Sequence, residues 1–286
     1  MPQPRSSQIS LSDTPFYHCV SRCVRRSFLC GVDSYSGQSY EHRRGWVEQR
    51  LLFLSSIFSI DICAYAVMSN HVHVVLHVDV KQLIAWTDNE IVRRWHLLHK
   101  GTLLTQMFAR GDTLSQGQQL TLDDTIIEYR KRLHDISWLM RNLHEYIPRE
   151  VNKADDSTGR FWNLRFKSQA LSDEAALLAC MVYVDLNPIR AKIANTPETS
   201  THTSIQKCLE SIKQPATHSL IPFVGNPRQD MPKGIVFLLK DYCELVDITG
   251  RAIIDNKAGH IEHRHKPILK RLGLSDEQWL TLTTKF

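Results

Sequence analysis

Apolar and polar residues alternate most clearly in the stretch HVHVVLHV, which begins at His71. A β-strand sends successive side chains to opposite faces. The residues on one face are all apolar: Val72, Val74, Leu76 and Val78. The other face carries His71, His73, Val75 and His77, and three of these four residues are histidines. The pattern predicts a strand with one face against a core and one face carrying imidazoles.

The segments before this strand predict three further elements. Residues 15 to 24, PFYHCVSRCV, predict a first strand, because aromatic and β-branched residues dominate. Apolar side chains recur at helical spacing from 46 to 58, which predicts a helix. DICAYAVM then predicts a second strand, and Ser69 and Asn70 form a suitable tight turn between it and the histidine strand.

The later segments continue the series. Residues 81 to 99 predict a helix, and the polar residues 101 to 132 predict an insertion or a mobile excursion. ISWLMRNLHEYI predicts a helix that ends at Pro148, and residues 165 to 171 predict a fourth short strand. The next helix is expected to have Ser172 as its cap and to end before Pro188.

The order of these elements predicts an α+β fold of the ferredoxin-like type, a sandwich with a four-stranded antiparallel sheet and helices on one face. The opposite face would then be open, with His71 and His73 on it. Residues 196 to 232 are rich in proline and threonine and predict a linker or irregular wrap. Residues 233 to 286 predict a small, mostly helical C-terminal appendage.

Composition narrows the functional classes. Lysine and arginine exceed aspartate and glutamate by five, which permits an acidic partner such as nucleic acid without requiring one. Seven cysteines without a CxxC pair do not suggest a disulfide framework or a zinc ribbon. The chain has no secretory signal pattern and no apolar run near the ~18 residues of a membrane span, so the expected location is the cytoplasm, without membrane contact.

The histidine strand suggests metal chemistry. Two imidazoles at positions i and i+2 share a face and can bind one divalent ion. The simpler alternative is that they are polar residues on an exposed sheet face. A second pair of this kind, His263 and His265, has no alternating apolar partners and is expected to be solvated.

A second group of residues stands at the end of the last predicted helix, in CMVYVDLNPIRA. Tyr183 and Asn187 are four residues apart and therefore lie on one side of the helix. The small residues Ala176, Ala179 and Cys180 below Tyr183 would let the helix approach a neighbour closely. The alternative is that Tyr183 is a boundary residue and that Asn-Pro only ends the helix.

Three segments together resemble the single-tyrosine HUH transposases, most closely the REP-associated tyrosine transposases. They are VMSNHVHVVL, FWNLRFKSQAL and YVDLNPIRA, in the family's order and approximate spacing. The resemblance covers roughly residues 14 to 195 and divides the chain into a transposase-like domain, residues 1 to 195, and the two segments that follow. Within that domain, residues 25 to 44 and 101 to 132 are insertions relative to the family.

The resemblance implies that Tyr183 is the nucleophile and that His71, His73 and Asn187 bind the divalent metal, Mg²⁺ or Mn²⁺. Imidazole ligands suit Mn²⁺ better. The implied reaction cleaves single-stranded DNA, a hairpin formed by a palindromic repeat, through a 5′-phosphotyrosine and rejoins strands without ATP. Some relatives have an acidic ligand three residues before the first histidine, where this chain has Met68.

Five residues close to the motifs are candidates for DNA contact: His18, Arg22, Arg165, Lys167 and Arg190. Trp162 is expected to pack in the core rather than to stack on a base. One rival function is a domesticated, noncatalytic nucleic-acid-binding protein. A second is a metal hydrolase of the amidohydrolase kind, but it would need eight strand and helix repeats and further metal ligands late in the chain, and the sequence shows neither. The sequence leaves open whether the protein is a monomer or a homodimer.

Overall fold

A four-stranded antiparallel sheet organises the chain. In the computed structural model, which describes residues 9–24, 29–33, 36–213, 220–225 and 233–272, the sheet order is β2-β3-β1-β4. The strands are β1 (Phe16–Arg22), β2 (Ile60–Val67), β3 (His71–Val78) and β4 (Lys167–Ala170). This is the strand order of a ferredoxin-like fold, so the predicted α+β fold with a four-stranded antiparallel sheet is confirmed.

Helices account for most of the remaining elements. They are α1 (His42–Ile57), α2 (Val80–Ala85), α3 (Asp88–His96), α4 (Leu103–Arg110), α5 (Gln116–Arg132), α6 (Ile136–Ala154), α7 (Glu174–Asp185), α8 (Asn187–Arg190), α9 (Ser204–Lys213), α10 (Leu239–Arg251) and α11 (Ile268–Arg271). No helix in the described ranges is long and apolar enough to cross a membrane. The sheet also differs from the eight-stranded parallel barrel that the metal hydrolase alternative requires.

The first face of the sheet carries the main core. The apolar face of β3, with Val74 and Leu76 fully buried, packs with α1 and α6, the two helices that belong to the ferredoxin-like repeat. Val75 lies in a second core on the opposite face, with Ala64 and Ala66 of β2. The alternation predicted for the histidine strand is therefore the one observed.

The opposite face is only half open, which corrects the expectation that helices cover one face. Helix α7 packs over β2 and β3, and α9 also packs against β2. The small side chains of Ala64 and Ala66 allow this approach, and Leu177 and Met181 of α7 fill the space above them. The half formed by β1 and β4 stays accessible, with Arg22 and Lys167 exposed.

Three predicted boundaries differ from the structure, two because of local capping and one because of burial in the core. The helix expected over 81 to 99 is two helices, since the Thr87 side chain accepts a hydrogen bond from the Glu90 N–H and starts α3 anew. Helix α7 is capped by Asp173, not Ser172. Helix α6 continues past Pro148 to Ala154, because Val151 on its next turn is buried in the core.

Two segments are more ordered than expected. Residues 101 to 132 are not a mobile excursion: they form α4 and α5, which pack on each other and on α3. Helix α9 lies within the predicted linker, and Ile205 at its start is fully buried. Helix α10 of the predicted appendage shares the second core with α7. Residues 214–219 and 226–232 of the predicted linker lie outside the described residues.

Candidate active site

The histidine pair lies on the half-covered face of the sheet. His73 is 5% exposed and His71 is half-buried, with ring centroids 4.8 Å apart. His71 Nδ1 is 2.6 Å from Asn70 Oδ1, which can only accept, so His71 carries its proton on Nδ1. The Nε2 lone pair of His71 is therefore available to a ligand.

A similar chain of hydrogen bonds fixes His73. The Nδ2 of Asn187 is 3.3 Å from His73 Nε2, and an amide nitrogen can only donate, so Nε2 is the unprotonated nitrogen. His73 Nδ1 then carries the proton and donates to Nε2 of His18 at 2.9 Å. Histidines that bind metals usually have this arrangement: one ring nitrogen donates to a hydrogen-bond partner, and this directs the other ring nitrogen toward the metal.

Both imidazoles are neutral near pH 7. Burial lowers the pKa of His71 to about 4, assisted by the charge of Arg22. Burial, together with the neighbouring His71 and His18 and the charges of Arg22 and Lys257, lowers the pKa of His73 to about 3. A metal ligand must be a neutral imidazole, so no proton has to be displaced from the pair for binding.

The end of α7 brings Tyr183 to the histidines. Its ring is 46% exposed and stands at 87° to the ring of His73, with centroids 5.6 Å apart. The same ring lies 6.2 Å from that of His18. Asn187 is one turn further along, in α8, and reaches His73 as described above. The structure thus brings together His71, His73, Tyr183 and Asn187.

A buried carboxyl group holds this end of α7 in place. Asp185 is 1% exposed and accepts hydrogen bonds from Ser204 Oγ at 2.5 Å, from the Ile205 N–H at 3.0 Å and from Tyr242 Oη at 2.5 Å. These donors come from α9 and α10. Asp185, which lies between Tyr183 and Asn187 in the sequence, therefore links the end of α7 to α9 and α10. Burial raises the pKa of Asp185 to about 6 although the three donors oppose this. Sequence reasoning missed this residue; its signal was a lone acidic residue in the apolar run MVYVDL.

The donor set fits a divalent ion through two imidazoles and one amide oxygen. Rotating the Asn187 amide by half a turn would direct Oδ1 at His73, and ligand atoms about 2.1 Å from one ion are about 3.0–3.4 Å apart. The observed separation of 3.3 Å falls in this range. Among the described residues, no group of three or more His, Cys, Asp or Glu side chains could hold a metal ion. Met68, at the position of the acidic ligand, is buried in the second core.

Two of the five candidate DNA contacts lie on the accessible half of the site's face. Arg22 pairs with His71 across the strands and Lys167 pairs with Val20, so both side chains are on the histidine side of the sheet. Both are exposed. Arg165 is also exposed, in the loop that precedes β4.

The remaining two candidates have internal partners. His18 is half-buried and hydrogen-bonded to His73, as described. Arg190 is 8% exposed and donates to the carbonyl oxygens of Thr249 and Ala252 at 2.6 and 2.7 Å and of Gly259 at 3.4 Å. The guanidinium group of Arg190 is therefore used within the fold, and its contact with DNA stays a prediction.

The two predicted noncatalytic features have simple environments. Trp162 is 7% exposed, belongs to the main core and stacks on His144 with ring centroids 4.6 Å apart. It packs, as expected. The second histidine pair lies in a turn rather than on a strand, and His263 there is exposed.

Comparison with known proteins adds little to this description. No family model matches the sequence, and no curated protein matches it. A search of solved structures finds a REP-associated tyrosine transposase bound to a REP hairpin, at 11% sequence identity and a TM-score of 0.41, covering 82% of this chain and 97% of that one. Similarity at this level does not establish a shared function, so the function has to be inferred from the geometry of the site.

Proposed function

We propose that this protein is a transposase-like enzyme that cleaves and rejoins single-stranded DNA with Tyr183 as its nucleophile. The observation that carries the proposal is the position of the Tyr183 ring, half-exposed and 5.6 Å from the ring of the buried His73. Asn187 reaches the same imidazole from the next turn. A tyrosine that only bounded the helix would not need a pair of neutral, oriented histidines opposite it.

The chemistry follows from what these groups can do. The Tyr183 oxygen attacks the phosphorus and gives up its proton, the bond to the 3′ oxygen breaks, and that oxygen takes up a proton to become a 3′-hydroxyl. The tyrosine is left esterified to the 5′-phosphate, and attack by a 3′-hydroxyl reverses the step without ATP. His71, His73 and Asn187 would hold Mg²⁺ or Mn²⁺, which supplies Lewis-acid polarisation of the phosphate when bound.

The accessible half of the sheet gives the strand a path to Tyr183. Arg22 and Lys167 project from this half and offer charge to phosphates, and the exposed side chains of β4 beside them are accessible to unpaired bases. A duplex presents its bases already stacked, so a sheet face of this kind favours single-stranded DNA. The hairpin substrate follows from the motif resemblance alone.

A noncatalytic nucleic-acid binder is the second candidate. One observation favours it: within the described residues the metal site lacks a third imidazole, carboxylate or thiolate, and therefore depends on an amide oxygen. Pure binding, however, needs neither the tyrosine nor its oriented histidines.

A covalent-adduct assay separates the two functions. The protein is incubated with Mn²⁺ and hairpins labelled at the 3′ end, the end that stays on the tyrosine, which are made from palindromic repeats found beside its coding gene, and the products are run on a denaturing gel. The enzyme forms a labelled protein band that Tyr183→Phe abolishes. Tyr17→Phe, which changes a buried tyrosine in the core on the far face, is the matched control and keeps the band. A mobility shift on a native gel without any adduct would identify the protein as a binder only.

A further inference from the structure

An apolar groove adjoins the candidate active site and is not used by the chemistry described above. It encloses about 550 Å³ between α7 and the C-terminal segment, a size typical of ligand sites. One wall is formed by Leu178, Val182 and Leu186, and the other by Phe237, Leu245 and Ile254. Ala179, expected to lie beneath Tyr183 against a neighbouring helix, is exposed in this groove.

The groove and the candidate active site share a rim. Tyr183 and Asn187 line both, so an occupant of the groove would be adjacent to the atom that Tyr183 attacks. Lys257 lies on the same rim and is exposed. Its charge acts on His73, which places it on the site's side of the groove.

The loop that carries Lys257 is held at both ends by Arg190. The Arg190 guanidinium donates to the carbonyl oxygen of Ala252 before the loop and to that of Gly259 after it. The Gly259 N–H in turn donates to the Arg190 carbonyl oxygen at 3.2 Å. A Cβ at position 259 would lie 2.0 Å from the Ile189 carbonyl oxygen, so the loop can approach this closely only with glycine there.

We propose that this groove is a nucleotide-binding subsite, in which the apolar walls receive a base of the single strand and Lys257 contacts the adjoining phosphate. Charge and shape favour this occupant. An apolar slot with a cation on its rim matches a flat, uncharged base attached to an anionic backbone. The C-terminal segment would thus complete the binding site of the domain before it. The inference rests on the proposed function for its substrate class, but it can be tested without cleavage.

Binding to two probes separates the base contact from the phosphate contact. One is an oligonucleotide of twelve thymidines, and the other is a twelve-unit abasic strand with the same phosphates and no bases. Fluorescence anisotropy in EDTA gives both dissociation constants for the full-length protein. We expect Ala179→Trp, which fills the groove, to lower the preference for the thymidine strand at least about fivefold. Leu245→Trp on the opposite wall serves the same purpose if Ala179→Trp does not fold.

The phosphate contact is tested by the salt dependence. Lys257→Gln should weaken both probes equally and reduce the slope of log K against log salt by about 0.7, while Lys257→Arg keeps the slope. Lys131→Gln, an exposed lysine on α5, should change nothing. If the groove-filling variants keep the wild-type preference and Lys257→Gln keeps the slope, the subsite does not exist. If both effects appear but the wild type forms no adduct, the groove still binds nucleotides and only the proposed catalysis fails.

Discussion

Replacing His18 should weaken metal binding although His18 is not itself a proposed ligand. His18 Nε2 accepts a hydrogen bond from His73 Nδ1–H at 2.9 Å, and this bond keeps the proton on Nδ1 and Nε2 of His73 unprotonated. In His18→Phe the ring shape remains but the acceptor is lost. His73 is 5% exposed, so its Nδ1–H would lose its partner in a nearly dry environment.

The size of the effect follows from that geometry. An unsatisfied buried donor costs about 1–3 kcal/mol, and His73 can avoid this cost by moving its proton to Nε2. That tautomer cannot bind a metal until it is reversed. We therefore expect the dissociation constant for Mn²⁺ to rise about 10- to 100-fold, the usual effect of removing the partner of a ligand histidine.

The measurement is a titration of the DNA-free protein with Mn²⁺, followed by the paramagnetic resonance signal of the unbound ion. His18→Gln restores an acceptor and should keep most of the affinity. His77→Gln is the matched control, because His77 lies on the same face of β3 but pairs with Asp61, at 2.9 Å. Unchanged Mn²⁺ affinity in His18→Phe, or an equal loss in His77→Gln, would refute the reasoning.

Three further predictions concern the surroundings of the site. Burial raises the pKa of Asp185 from its ordinary value near 4 to about 6, so folding favours the protonated form, and this contribution is present below pH 4 and lost as the pH rises through 6. The difference in free energy of unfolding between Asp185→Asn and wild type should therefore shift by about 3 kcal/mol in favour of the variant from pH 4 to pH 7, as measured by urea denaturation. A difference that does not change with pH would contradict this. Arg190→Met should lower the free energy of unfolding by about 2–3 kcal/mol in the same assay, because three carbonyl oxygens lose a charged donor. The exposed Arg93→Met is the control and should lower it by less than about 1 kcal/mol. Equal losses would mean that the Arg190 contacts are not stabilising. Asn187→Asp should tighten Mn²⁺ binding, because a carboxylate is a better oxygen ligand than an amide, and weaker binding in the same resonance titration would argue against Asn187 as a ligand.

The sequence predicted the parts of the site that depend on short-range periodicity. Alternation in β3 placed His71 and His73 on one face. Helical spacing placed Tyr183 and Asn187 one turn apart on one side, and both reach His73 although Asn187 begins the short helix α8. Both features follow from local chain geometry and can be predicted without the tertiary structure. The ferredoxin-like type of the sheet also followed, because the succession of strands and helices permits few topologies.

The parts that the sequence did not predict depend on distant segments. Arg190 was expected to contact DNA because of its neighbours in the motif, but its partners are carbonyl oxygens at residues 249, 252 and 259. Asp185 likewise receives donors from α9 and α10. Backbone carbonyl acceptors and hydroxyl groups from distant segments leave no periodic pattern in the sequence. The contacts that join the C-terminal segment to α7 could therefore be identified only from the structure.

The central claim is that Tyr183 becomes covalently linked to DNA, and peptide mass spectrometry tests it most directly. The protein is incubated with Mn²⁺ and the hairpin, trapped under denaturing conditions, and digested with nuclease and protease. We expect a peptide containing Tyr183 that carries a 5′-phosphonucleotide, and no such peptide from Tyr183→Phe. Modification of a different tyrosine, or an unmodified Tyr183 peptide from a reaction in which the DNA has been cleaved, would show that Tyr183 is not the nucleophile.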